Sequence, residues 1–252
     1  MALPVLLHLP YSPWSERARW ALDVRGVPYR SRLYQPVIGE SRLRRLRPDH
    51  EGPLTVPVLI MQEGVLTESL EIARFAEAEG GVGPTLFPAG REVEVHRMDD
   101  LADRALAAGR GLALRRTLQD PDALAEMLPP SLGWTGPLGR AISAWGVRRV
   151  LRKYGVAEAS EEELRARATE ALDELRAALA AAPEPPDGKV RTLLGELSYA
   201  DLTAAQALAF VTPPTSGLRV GRANRRAFTD PPLAERYADL LAWRDALYTA
   251  YR

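Results

Sequence analysis

Cysteine is missing from all 252 residues, which removes disulfides, thiolate metal ligands and every mechanism that needs a protein thiol. Histidine is nearly as scarce. His8, His50 and His96 lie too far apart to read as a metal-binding motif, so no resident metal is expected. Neither sign of charge is in excess, because Lys+Arg and Asp+Glu number 33 each, and neither nucleic acid nor an anionic membrane is favoured as a partner. No apolar run approaches the length of a membrane span. Pro4, His8 and Pro10 also interrupt what would otherwise resemble a signal-peptide core. A cytoplasmic location is therefore expected. What remains is the composition of an ordinary globular protein, with length for one large or two small domains.

The chain opens on a short apolar run from Val5, breaks at Pro10, and continues with helical spacing through Leu22. Trp14, Ala18, Ala21 and Leu22 fall on one face of that helix, and Glu16, Arg17, Arg19 and Asp23 largely on another. Ser12 before Pro13 has the order of an N-cap followed by proline at the first helical position. A hydroxyl, unpaired N–H groups and a positive helix end thus meet at one point, which suits an anion. Gly26 and Pro28 stop the helix, and Tyr29 to Tyr34 reads as a strand. An Arg-rich segment over residues 39–47 reads as a short helix. Thr55 to Met61 reads as a buried strand entered at Pro57, Val65-Leu66 as a returning strand, and Thr67 or Ser69 as the start of another helix.

The order is β-α-β-α-β-β-α, over residues 1–80. Glycine and proline then mark residues 81–90 as a linker. From residue 91 to 252 strand signals vanish. Residues 91–118 form a long helical stretch whose Ala102, Ala105, Ala108, Gly109 and Gly111 permit close packing. Ser160 with Glu163 forms a capping box before a helix to Ala182, Ser198 starts a helix running to Val211, and a last helix spans about 233–248.

Four features coincide in order and spacing: Ser12-Pro13 with Arg17 and Arg19, Val56-Pro57 entering a strand, Glu68-Ser69 opening a helix, and a helical second half. Together they resemble a cytosolic glutathione S-transferase of the serine, bacterial-like type. That resemblance implies an α/β plus all-α architecture, a thioredoxin-like domain followed by a helical bundle. It implies glutathione as co-substrate, a hydrophobic electrophile as second substrate, and a homodimer. It assigns Ser12 the task of donating its hydroxyl hydrogen to the glutathione sulfur, with Ser15 or Tyr11 as alternates. Val56 pairs its backbone with the cysteinyl unit, across a cis bond at Pro57. Glu68 and Ser69 take the γ-glutamyl ammonium and carboxylate. The family's usual lysine before Val-Pro is replaced by Arg47-Pro48-Asp49-His50-Glu51-Gly52, which leaves Arg44, Arg47 and His50 as candidates for the glycyl carboxylate.

Each residue also has a plainer role. Ser12 caps a helix, Ser69 or Glu68 complements a helix start, and Trp134 packs in a core unless it lines the substrate pocket. A non-catalytic binding module of the same fold is the alternative to an enzyme. Other chemistries lack their motifs: Leu86 stands where Gly81-x-Gly83 would need a third glycine for a dinucleotide fingerprint. No Gly-x-Ser-x-Gly elbow or Gly-Lys-Ser/Thr loop occurs, and a serine hydrolase would need a base that Ser12 lacks.

Overall fold

The structure is a computed structural model that describes residues 2–36, 39–47, 51, 53–128, 136–186 and 188–252. Four short strands, β1 (Val5–His8), β2 (Arg30–Leu33), β3 (Val58–Ile60) and β4 (Val65–Leu66), form one sheet in the order β2-β1-β3-β4. β1 runs parallel to β2 across the crossover helix α1 (Pro13–Val24), while β1–β3 and β3–β4 are antiparallel. Alternation along β1 sends neighbouring leucines to opposite faces. Leu6 joins Ala18, Leu22, Leu59 and Ile72 beneath α1 and α3 (Ser69–Glu79), whereas Leu7 packs with Val58, Leu54 and Leu43 of α2 (Glu40–Leu46).

The strand expected over 55–61 is shorter, because Val56-Pro57 precedes the ladder that proline cannot join. α1 ends as its sequence directs: Gly26 sits at φ +67°, and Val27 N–H closes on Leu22 O at 2.9 Å. Its polar face is not solvated. Glu16, Arg17 and Arg19 are buried because the helix lies between the sheet layer and the helical half, against α3 and α8.

The remaining elements are α4 (Glu92–Gln119), α5 (Pro121–Glu126), α6 (Gly136–Lys153), α7 (Glu161–Ala180), α8 (Tyr199–Ala207), α9 (Arg222–Phe228), α10 (Pro231–Arg236) and α11 (Ala238–Tyr251). α4 is the axis about which α7, α8 and α9 pack. Its glycines are needed there: a Cβ on Gly109 would stand 2.8 Å from Phe210 Cβ, and one on Gly111 2.7 Å from Leu164 Cδ1. The Ser160–Glu163 capping box forms with bonds of 3.0 and 2.7 Å. α8 is shorter than its apolar run, ending at Ala207 before a series of turns. The last helix is two helices, divided at buried Tyr237, whose hydroxyl donates to Asp173 at 2.8 Å. The segment between α3 and α4 is pinned down. Leu86 is buried, its N–H donates to Glu77, and its C=O accepts from Tyr199 N–H at 2.9 Å. Among the described residues no helix is long and apolar enough to cross a membrane.

Candidate functional site

Sheet register converges three segments. Leu7 pairs with Val58 and Leu59 with Leu66, so the residues after β1, before β3 and after β4 all emerge at one end of the sheet. Those are Pro10 to Ser12, Val56-Pro57, and Thr67 to Ser69. Three stretches far apart in the chain are thereby brought to one edge.

Ser12 caps α1. Its backbone is extended, and its Oγ accepts the Ser15 N–H at 3.4 Å. An oxygen that accepts there still has its own hydrogen to donate, and Ser12 keeps 9% of its surface exposed. Ser15 differs: it is fully buried, and its Oγ accepts from Leu9 N–H at 3.2 Å, tying the β1–α1 turn. The Tyr11 phenol is pushed up to about 12 by burial and stays protonated near neutral pH. His8 offers Ser12 no base. Its Nδ1 accepts from Arg19 at 2.8 Å, so its Nε2 carries the proton and donates to Ser31 Oγ at 2.7 Å. Burial and the neighbouring Arg19 bring the His8 pKa down to about 4, leaving the ring neutral.

The Val56-Pro57 bond is cis. Among the described residues, neither the N–H nor the C=O of Val56 has a hydrogen-bond partner, so a donor and an acceptor of extended backbone stand ready for a peptide-like ligand. Glu68, not Ser69, is the N-cap of α3, and the Glu71 carboxylate accepts the Glu68 and Thr67 N–H groups at 3.3 and 3.1 Å. Ser69 is the first helical residue and is nearly buried.

Behind Ser69 lies a polar network that the sequence reading passed over. The phenol of fully buried Tyr199, raised above its ordinary range by burial, faces Ser69 and the charges of Asp99 and Arg17. Arg17 donates to Asp103 at 2.6 Å and to Asp99 at 3.1 Å, Thr203 Oγ1 donates to Asp99 at 2.7 Å, and Trp14 Nε1 donates to Asp103 at 2.9 Å. Only Arg17 carried a sequence signal. Its partners lie on α4 and α8, more than eighty positions away.

A second group faces the site from the helical half. Arg110 of α4 lies between the rings of Trp14, 4.9 Å from the centroid, and Tyr154, 3.5 Å from it. The Tyr154 phenol, raised by burial, also senses Glu68. Arg44 lies on α2, Arg47 caps that helix, and His50 and Trp134 fall outside the described residues. No group of His, Asp and Glu among the described residues is placed to hold a metal ion.

Comparison with known proteins identifies relatives of the N-terminal part and of the fold. Residues 6–82 match the family described as glutathione S-transferase, N-terminal domain. A probable glutathione S-transferase of Solanum tuberosum is 34% identical over 108 residues, 42% of this chain and 43% of that protein, so the match spans less than half of the relative's length. Among solved structures, glutathione transferase GSTFuA2 of Phanerochaete chrysosporium superposes with a TM-score of 0.69 at 20% identity, covering 100% of this chain and 98% of its own. A glutathione S-transferase of Ceriporiopsis subvermispora, solved in complex with glutathione, gives 0.60 at 19% identity over 99% and 95%. At these identities the likeness is one of fold.

Proposed function

We propose that this chain, whose residues 6–82 match the glutathione S-transferase N-terminal domain and whose fold is that of a solved glutathione transferase, is an enzyme joining the glutathione thiolate to an electrophilic, mostly apolar small molecule. The observation that carries the reading is the Ser12 hydroxyl. It accepts from the first turn of α1 and keeps its own hydrogen, at the end of the sheet where Val56 presents backbone groups without a partner among the described residues.

A free thiol has a pKa of about 8.5, so a minority ionises near neutral pH. A hydroxyl donor and a helix N-terminus both favour the anion, and the thiolate is the nucleophile. In the proposed arrangement the cysteinyl unit pairs with the Val56 backbone, the γ-glutamyl ammonium meets Glu68, and its carboxylate meets Ser69 at the α3 N-terminus. Tyr199, near the charges of Arg17 and Asp99, would back Ser69. Arg44, Arg47 and His50 remain the candidates for the glycyl carboxylate. The sulfur then attacks the electrophilic carbon, a carbon–sulfur bond forms, the leaving group departs with its electron pair, and the thiol proton passes to solvent. Holding both reactants in one cleft supplies much of the acceleration, and Trp14, Arg110 and Tyr154 would form the wall on the electrophile's side.

We take residues 1–80 and 91–252 as the two domains with a linker at 81–90, the assembly as a homodimer, and the cytoplasm as the compartment, since reduced glutathione is maintained there. Light scattering should give twice the chain mass. The test of function is retention on immobilised glutathione followed by conjugation of an aryl halide. Retention with turnover that falls on Ser12→Ala supports the enzyme. Retention without turnover assigns a binding module, and failure of both overturns the glutathione reading.

A further inference from the structure

Between α2 and the C-terminal end of α6 lies a pocket of about 440 Å³, within the range of roughly 300–1,000 Å³ usual for small-molecule sites. Its charged lining is Arg44 and Glu40 from α2 and Arg149, Arg152 and Lys153 from α6, beside Leu54. Four cations thus face one carboxylate in a chain whose net charge is zero. The carboxylate is already engaged, because Glu40 accepts from Arg149 at 2.6 Å. Lys153 donates to Leu54 O at 2.6 Å. The guanidinium groups of Arg44 and Arg152 have no hydrogen-bond or ionic partner among the described residues. Burial depresses the Lys153 pKa, and Arg149 and Arg110 press it down further while Glu40 opposes them. Cations gathered in a concavity repel one another and raise the local concentration of counter-anions.

We propose that this pocket binds a compact oxyanion carrying two or more negative charges, a phosphate or a polycarboxylate, clamped between α2 and α6. A single carboxylate such as the glycyl end of a thiol peptide neutralises one cation and leaves the α6 group uncompensated. Of the residues considered for thiol binding only Arg44 is shared, and Ser12, Val56, Glu68 and Ser69 are not part of the lining. The inference stands independently of the thiol chemistry.

Calorimetry on the full chain tests it, with pyrophosphate, inorganic phosphate and citrate as probes and sodium chloride matched for ionic strength. One site per chain is expected. Arg44→Gln and Arg152→Gln should each weaken binding by about fivefold or more, as loss of a charge-assisted contact requires. Glu40→Gln removes the opposing charge and should tighten it. All three positions lie on the pocket surface, and thermal melts confirm that the variants fold. Preference for pyrophosphate over citrate identifies a phosphate ligand, and the reverse a polycarboxylate; both support the pocket. Three results would overturn it: no binding beyond the chloride control, affinity unchanged in Arg152→Gln and Glu40→Gln, or complete displacement by glutathione with Arg152→Gln silent.

Discussion

Replacing Arg17 by methionine removes two ion pairs between α1 and α4, leaving the Trp14–Asp103 bond, and keeps a long apolar stem in place. The guanidinium is fully buried and serves two aspartates, Asp99 at 13% side-chain exposure and Asp103 at 51%. Breaking a buried ion pair from one side costs about 3–5 kcal/mol, because the remaining charge is left without compensation. Here Asp103 can hydrate, so the penalty falls mainly on Asp99, which keeps only the Thr203 hydroxyl at 2.7 Å. The expected loss is therefore about 2–4 kcal/mol. For a chain of this size it lowers the melting temperature by roughly 5–15 °C.

The pH dependence has a definite sign. Burial already holds the Asp99 pKa above its ordinary value, with Arg17 pulling the other way; without Arg17 it rises further. A carboxylate whose folded pKa is raised destabilises the fold in its ionised form, and this penalty disappears as pH falls through the raised pKa. The deficit of Arg17→Met against the parent should thus be largest at alkaline pH and shrink on acidification. Asp99→Asn added to Arg17→Met should recover part of the loss, and urea unfolding of the four-member cycle measures the coupling. A deficit below about 1 kcal/mol that stays flat from pH 8 to pH 5, against the cost expected of a stranded buried charge, would refute the assignment.

Other perturbations separate structural from chemical roles. Ser15→Ala strands the Leu9 N–H and should reduce stability by about 1 kcal/mol without changing the pKa of bound thiol; a shifted thiol pKa would make Ser15 the donor. Gly109→Ala gains about 1 kcal/mol of helix propensity but drives a methyl into Phe210 at 2.8 Å, so chemical denaturation should show a net loss of about 1–2 kcal/mol. Arg252→Met leaves buried Glu16 with Arg19 alone and should lower the melting temperature in a thermal melt.

Local signals made much of the fold legible. Ser12-Pro13, Gly26, Ser160 with Glu163, and Ser198 each act within one turn of chain, and each appears where its residues indicate. The short helix α9 escaped because seven residues hold too little periodicity, and α10 was read as one helix with α11. The burial of Glu16, Arg17 and Arg19 left no local signal because their partners at positions 99, 103, 217 and 252 are remote. The candidate site shows the same division. Ser12 and the Val56-Pro57 and Glu68-Ser69 pairs drew attention through the family resemblance, whereas Tyr199 and Arg110 lie on helices, and Tyr154 in the turn after α6, with no sequence signal of the approach. Arg44 shares its pocket with cations more than a hundred residues away.

The account turns on Ser12 stabilising a thiolate, and the most direct measurement is the ultraviolet absorbance of glutathione titrated on the protein. The parent should show a thiol pKa at least about one unit below the free value of roughly 8.5, with Ser12→Ala returning it toward that value while glutathione still binds. An unchanged thiol pKa in Ser12→Ala, with binding intact, would contradict the claim and leave Ser12 as a helix cap.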